Sequence, residues 1–373
     1  MSGAAVLKSM VISQDQVIAI TQGDGAGIGP ETIAKAFRDA PDLMRGCFVV
    51  GDVATLRRAA QCVSGPGGVP VPVAALAHWA DAAQMPPRCI PVWQVPPLLA
   101  APLAPPPFGQ VSAGAGRVAA QCIRWAAQAA LRGEVLAVVT APVHKEALAA
   151  SGEPFPGHTE LLQAEAAGFL GWAVADVPVR MMLANDELRT VLVSTHLPLR
   201  QAIDAVTQAN VLQTLHITHA ALGRMLGRAP RIAVAGLNPH AGEGGLFGRE
   251  EIEQIAPAVA KARALGLDVQ GPFAPDTVFM RARHAPGHPG EFDVVIAMTH
   301  DHGLIPVKYL GTERGVNVTL GLQGSAPRAW RLLRTSPDHG TAFDIAGTGR
   351  ADASSLLAAV QMAHRLANPP ADL

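Results

Sequence analysis

Short, uninterrupted apolar runs alternate with longer amphipathic stretches along almost the whole chain. Val17 to Thr21, Cys47 to Gly51, Val135 to Thr140, Thr190 to Ser194, Arg231 to Ala235 and Asp293 to Met298 are such runs. Each is too short for a helix and rich in β-branched residues, so each reads as a strand buried on both faces. Helical periodicity fills the gaps: Thr32 to Ala40, the stretch after Asp52, Ala113 to Arg132 (stopped by Gly133), Leu199 to Leu222, a helix from about Gly248, and Ser354 to Ala367. Strand and helix in alternation predict an α/β fold, a mostly parallel sheet with helices on both faces. Ser64 to Gly109 is proline-rich but studded with apolar residues, which predicts an extended surface excursion with short edge strands. Arg334 to Asp352 reads as a glycine-punctuated loop before the last helix. No internal repeat is present.

Composition narrows the class. The chain has 373 residues, 49% hydrophobic and 16% charged, with a formal net charge of -1. That is ample for a large core in two domains or one large α/β unit. A near-neutral chain with 4% aromatics and a single Tyr offers neither a basic footprint nor base-stacking platforms, which argues against nucleic acid. The four cysteines (Cys47, Cys62, Cys89, Cys122) are scattered, as expected of reduced thiols. No secretory signal and no run of membrane-spanning length is apparent, so a cytoplasmic protein without membrane contact is expected.

The chemistry gathers at strand ends, where open α/β sheets bind ligands. Asp293 to Met298 runs into Thr299-His300-Asp301-His302-Gly303, Thr190 to Ser194 into Thr195-His196, and Arg231 to Ala235 into a loop containing His240. Three neutral imidazoles on three strands match what a divalent ion needs, zinc above calcium. The plainer alternative is that some of the 13 histidines are ordinary core or surface residues. On this pattern alone a metal-assisted hydrolase is as open as a dehydrogenase. Gly157-His158-Thr159-Glu160 opens a helix, with Thr159 as its expected cap, and His158 there suits an anionic ligand. Gly23 to Glu31, GDGAGIGPE, follows the first strand. Its spacing fits neither a dinucleotide fingerprint nor a phosphate loop, and its glycines predict a close pass of backbone to a ligand or another element.

The segments GDGAGIGPE, APVHKEAL, PGHTE, STHLPLR, GLNPHAGEGG, APDT, MTHDHG, GVNVTLGL and RTSPDHGTAFDIAGTGRAD keep their order from about residue 17 to 365. Together they closely resemble the 4-hydroxythreonine-4-phosphate dehydrogenase (PdxA-type) family, and the first and last resemble isocitrate and isopropylmalate dehydrogenases. The resemblance implies the two-domain α/β/α fold of those dehydrogenases. Residues 1–139 with 309–373 would form a nucleotide-side domain, and 140–308 a central metal, substrate and dimerisation domain. It places His196, His240 and His300 as metal ligands, for zinc, magnesium or cobalt. It places His158, Thr159, Lys308, Asn317 and Arg334 on substrate. NAD or NADP would lie by Asp338, His339, Gly340, Asp344 and Gly347. Lys308 and Asp301 are both candidates for the base. The family forms homodimers with the site near the interface, so a partner chain can supply ligands. The implied reaction oxidises and decarboxylates 4-phosphohydroxy-L-threonine to 3-amino-2-oxopropyl phosphate, in pyridoxal 5′-phosphate (vitamin B6) synthesis. Relatives acting on D-threonate or D-erythronate 4-phosphate or on aromatic cis-dihydrodiols are alternatives, and so is a non-catalytic metal-binding relative. Three features depart from the family pattern: His302 in place of Gln, Gly in GDGAG in place of Pro, and an insertion from Gln323 to Leu333.

Overall fold

Twelve strands form one continuous sheet in a computed structural model of the chain, which describes residues 17–100, 104–324 and 330–368. In chain order the elements are β1 (Ile18–Thr21), α1 (Gly29–Asp39), β2 (Cys47–Val50), α2 (Val53–Ser64), β3 (Val73–Ala75), β4 (Ile90–Trp93), α3 (Pro96–Ala100), α4 (Ala113–Leu131) and β5 (Ala137–Thr140). Then come α5 (Lys145–Ala150), α6 (His158–Leu170), β6 (Arg180–Ala184), β7 (Arg189–Leu192), α7 (Leu199–Asp204), α8 (Gln208–Leu226), β8 (Ile232–Ala235), α9 (Ala256–Ala264) and β9 (Val269–Phe273). The chain closes with α10 (Val278–Ala282), β10 (Val294–Ala297), α11 (His300–Tyr309), β11 (Val316–Leu320), β12 (Gln323–Gly324), β13 (Trp330–Arg331), β14 (Arg334–Pro337) and α12 (Ser354–Ala367).

The sheet order is β3-β4-β2-β1-β5-β14-β11-β6-β7-β10-β8-β9. Strands β3 to β14 of that order are mutually parallel, and β7, β10, β8 and β9 form a second parallel block. The two blocks are joined through antiparallel pairings at β14-β11, β11-β6 and β6-β7, so they run in opposite directions. Apart from edge strands β3 and β9, the strands of both blocks are buried over all or all but one of their residues, as their continuous apolar runs require.

One face carries the largest core, formed with α1, α2, α8, α9 and α12. The other face carries two separate cores. One packs α4 and α6 over β1, β2 and β5; the other packs α10 and α11 over β6, β7, β8 and β10. The gap between them lies over β14 and β11. Register sets Arg334 beside Val138 and Thr319, and Ser336 beside Asn317. Side chains alternate across a strand, so Arg334, Ser336, Asn317, Thr319 and Thr140 all point into this gap.

Several expectations need correction. Arg334 to Pro337 is a buried central strand, not loop, and 316–320 is its antiparallel neighbour. The helix expected over 199–222 is two, α7 and α8. The break comes where Thr207 takes up an N-cap, its hydroxyl accepting from Asn210 N while Asn210 Nδ2 donates to the Ala205 carbonyl. The helix near Gly248 is a π turn over Glu251–Ile255 followed by α9. Gly157, not Thr159, is the N-cap of α6. The proline-rich excursion does contribute edge strand β3, and β4 beside it. Of the insertion, residues 325–329 lie outside the described residues; its ends pair as β12 and β13. All four cysteines are free. Among the described residues no helix is long and apolar enough to cross a membrane.

Candidate active site

A cavity of about 320 Å³ opens in the gap, lined among others by Thr140, His158, Lys308, Asn317, Arg334 and Asp338. Arg334 is its floor. The residue is 4% exposed. It donates from Nε (3.0 Å) and Nη2 (2.8 Å) to Thr140 Oγ1, and from Nη1 (3.2 Å) to Thr319 Oγ1. Among the described residues no carboxylate takes any of these donors. Burial pushes its pKa down to about 10, partly offset by the charge of Glu160, so it stays a cation at neutral pH. A buried guanidinium held by hydroxyls alone is costly unless an anion completes it.

His158, the first residue of α6, stands over this cation with its Nε2 buried and without a partner. Burial first and the Arg334 charge second lower its pKa well below the usual imidazole value, against a hydrogen bond to the Ala141 backbone. A neutral ring with a free nitrogen accepts a hydrogen bond from a ligand. Thr159 follows in the same turn, half-buried. Lys308 occupies the last turn of α11, where its Nζ meets Asp338 Oδ2 at 2.6 Å. Asn317, half-buried on β11, completes the ring of polar groups.

α11 reaches the sheet closely because Gly303 has no side chain; a Cβ there would collide with Leu192 and Ala297. Thr190 Oγ1 donates to the Gly303 carbonyl at 3.0 Å. His300 opens the helix, eight residues before Lys308, or about 12 Å along the axis. The two candidate bases therefore belong to opposite ends of one helix. Asp301 is exposed and its Oδ1 lies 2.8 Å from His300 Nδ1, which leaves His300 Nε2 for a ligand.

His196 and His300 follow adjacent parallel strands, and their ring centroids are 5.7 Å apart. They line a second cavity of about 270 Å³ with Thr195, Leu197, Thr299 and Asp301. Burial, then the charges of Lys145 and His300, lower the pKa of His196, while Glu160 raises it, so the ring is neutral at pH 7. Lys145 and Glu160 belong to α5 and α6, so they act on His196 from the other wall of the gap. The chemistry of the donors fits a divalent ion. The third imidazole is not with them. His240 projects from a loop after β8, exposed, with its Nδ1 3.4 Å from Glu243. Its backbone is left-handed at three non-glycine residues (His240 φ 53, Ala241 φ 52, Glu243 φ 43), a strain that concentrates at functional loops. Among the described residues no group of three His, Cys, Asp or Glu is arranged to hold a metal. The structure thus brings together two of the three expected ligands.

The stretch from Asp338 to Gly347 borders the first cavity through Asp338, His339 and Gly340. His339 Nε2 is buried without a partner, and a side chain at Gly340 would meet open space. Asp344 is exposed and Gly347 packs on the Phe108 ring. The Gly23 to Glu31 turn does pass close to another element: Gly23, at φ 69, abuts the Pro142 carbonyl. Thr140, Thr319 and Ser336 were absent from the expected site. The alternation in VNVTL, apolar inward and polar toward the gap, is the pattern that marks β11 as a half-buried strand.

The sequence profile of the family described as "Pyridoxal phosphate biosynthetic protein PdxA" matches residues 44–363. A 4-hydroxythreonine-4-phosphate dehydrogenase of Beijerinckia indica is 48% identical over 362 residues, 96% of this chain and 97% of that one. A D-threonate 4-phosphate dehydrogenase of Salmonella typhimurium is 44% identical over 360 residues, covering 95% of this chain and 100% of that one. The crystal structure of a 4-hydroxythreonine-4-phosphate dehydrogenase from Klebsiella pneumoniae superposes with a TM-score of 0.78 at 40% identity, over 94% of this chain and 99% of that one.

Proposed function

Because the chain belongs to the PdxA family of pyridoxal phosphate biosynthetic proteins, we propose that it oxidises 4-phosphohydroxy-L-threonine with NAD⁺, with decarboxylation, to 3-amino-2-oxopropyl phosphate in the cytoplasm. The observation that carries the reading is Arg334, a buried cation at the floor of the gap that, among the described residues, hydrogen-bonds to hydroxyls and to no carboxylate. The substrates named for the two relatives share one group, the 4-phosphate. A guanidinium fork is the geometry for it. Asn317 and Thr159 add hydrogen bonds, and His158 accepts one from a substrate hydroxyl or amine through its neutral Nε2.

Of the two candidate bases, Lys308 lines the same cavity as Arg334 and reaches the substrate; a phosphate or carboxylate entering there competes with Asp338 for it. Asp301 orients His300 instead. His196, His300 and His240 would hold one divalent ion, and His339, Gly340, Asp344 and Gly347, with Asp338, would border the nicotinamide dinucleotide. Bound there, the ion lowers the pKa of the substrate hydroxyl and the dinucleotide accepts hydride.

A homodimer completes the metal site in this reading. Exposed Leu197, Leu199 and Ile203 follow His196, and exposed Leu246, Phe247 and Ile252 follow His240. Apolar surface beside two incomplete halves suits a second copy, bringing its His240 to the first copy's His196 and His300. His240→Ala and His300→Ala proteins should each be inactive. Mixed and reassembled, they should regain roughly a quarter of wild-type activity, since one site in each heterodimer is then whole. No recovery on mixing means one chain supplies all three.

The substrate is tested by NADH formation at 340 nm with 4-phosphohydroxy-L-threonine, D-threonate 4-phosphate and D-erythronate 4-phosphate, each with NAD⁺ and NADP⁺. Turnover of the amino acid is expected. Turnover of D-threonate 4-phosphate alone would move the chain to the reading favoured by the Salmonella typhimurium relative.

A further inference from the structure

We infer that Glu31 is a positioning residue for the dinucleotide, holding residues 341–351 in a binding shape from the first helix. The inference rests on the reading that places the cofactor beside Asp338 to Gly347. Glu31 is 0% exposed, and among the described residues no basic side chain hydrogen-bonds to either of its oxygens. Instead Oε1 accepts from Gly347 N and Oε2 from Gly349 N, the latter at 3.0 Å. The N-cap and the middle of the same helix grip the segment twice more. Ile28 N donates to the Thr341 carbonyl at 3.0 Å, and Lys35 Nζ to the Ala351 carbonyl at 2.6 Å. Gly27 leaves room for this approach, because a Cβ there would lie 2.8 Å from the Thr341 carbonyl. From the other side the His144 ring stacks on Phe343 with centroids 4.7 Å apart, and Gly347 rests on Phe108. The groups left without partners, His339 Nε2 and open Gly340, are those that face the cavity.

A buried carboxylate spent on two backbone N–H groups fixes loop shape and does nothing to the reacting atoms. Preorganisation of this kind lowers the ordering cost of binding. Glutamine has the same length but turns one acceptor into a donor, so at least one N–H is left facing an N–H.

The test is NAD⁺ binding by calorimetry and steady-state kinetics on the full-length Glu31→Gln protein, with Lys35→Ala for comparison. The Kd and KM for NAD⁺ should rise about tenfold or more in Glu31→Gln, the expected loss for a buried bond left unmade. The KM for 4-phosphohydroxy-L-threonine, and kcat at saturating NAD⁺, should stay within about twofold, because Glu31 touches neither. Lys35→Ala should shift NAD⁺ binding less, since its Nζ donates to one carbonyl only. Unchanged NAD⁺ affinity in Glu31→Gln, or equal losses in every parameter, overturns the inference. If Glu31→Gln does not fold, hydrogen exchange of the wild-type protein decides. Peptides over 345–351 should be protected without cofactor, and exchange at the rate of exposed loops overturns the inference. Wild-type protein that binds no NAD⁺ sinks the functional reading instead, and the exchange result still judges the Glu31 contact.

Discussion

Asp293 and Arg334 are both buried charges of the sheet, 4% exposed each, and they are settled in opposite ways. Asp293, just before β10, accepts from Arg228 Nη1 and Nη2 at 2.7 and 2.8 Å, from Arg231 N at 2.7 Å, and from the Arg231 side chain as well. Burial alone would raise its pKa; the two guanidinium groups hold it far below the usual carboxylate range. Arg334 has three hydrogen bonds to hydroxyls and, among the described residues, none to a carboxylate; only the charge of Glu160 partly offsets its burial. A buried ion already neutralised is architecture. One left in deficit suits an anionic ligand, which would offset more of its desolvation than hydroxyls do.

That contrast predicts opposite phenotypes. Arg334→Met should lower kcat/KM by about 3–5 kcal/mol, or some hundred- to several thousand-fold, as expected when a buried anion loses its guanidinium. Its thermal midpoint should stay level or rise, since an uncompensated cation has been replaced by an apolar chain of similar length. A fall in midpoint with activity kept would reverse the assignment. Arg334→Lys should recover only part of the loss, because an ammonium cannot make the fork to phosphate and the two hydroxyls together.

Asp293→Asn should do the converse. Two arginines, each about half exposed, lose their counter-charge, and stability should fall by about 2–3 kcal/mol with kcat/KM nearly unchanged. In the wild type the same ion pair gives a pH signature. The folded-state pKa lies below the unfolded value of about 3.9, so its contribution is whole above that pH and drains away below it. Calorimetric midpoints of Asp293→Asn and wild type should therefore converge as pH drops below about 4. A constant gap would mean the carboxylate's charge is not what stabilises β10.

The contrast also explains what could be read in advance. The positions of His196, His240 and His300 after strand ends were legible because β7, β8 and β10 are apolar runs whose ends are unmistakable, and the structure lays these strands side by side. Arg334 was legible only as part of a family pattern. RTSP has no apolar alternation, and its identity as a central strand comes from pairing with β11 on one side and, on the other, with β5, which is distant in sequence. The split of α7 from α8 was written in Thr207-Gln208-Ala209-Asn210, a capping signal masked by the periodicity around it. Glu31 could not be read, since its partners lie 316 and 318 residues away. The separation of His240 from the other two imidazoles depends on a left-handed loop whose run of glycines and His, Ala and Glu carries no helical or strand period.

The smallest expected effect concerns His158, whose titration should report whether an anion has filled the deficit at Arg334. Burial is the first cause of its lowered pKa and the Arg334 charge the second. Both disfavour the imidazolium, so in the free protein the ring should stay neutral well below pH 6.5, where an unperturbed histidine titrates. The unfolded chain takes up that proton near 6.5, so His158 costs stability progressively as pH falls from there toward the folded value. Phosphate at Arg334 removes the second cause while leaving the first. The ring should then titrate at a higher pH than in the free protein, and phosphate binding should tighten slightly as the pH is lowered through that range. Ring-carbon resonances of ¹³C-labelled histidine, assigned with His158→Asn and followed from pH 8 to 4.5 with and without inorganic phosphate, measure both values. A free-protein titration near 6.5 would show that the ring is not held over the cation. An unmoved titration in saturating phosphate would place the anion away from Arg334, and with it the substrate.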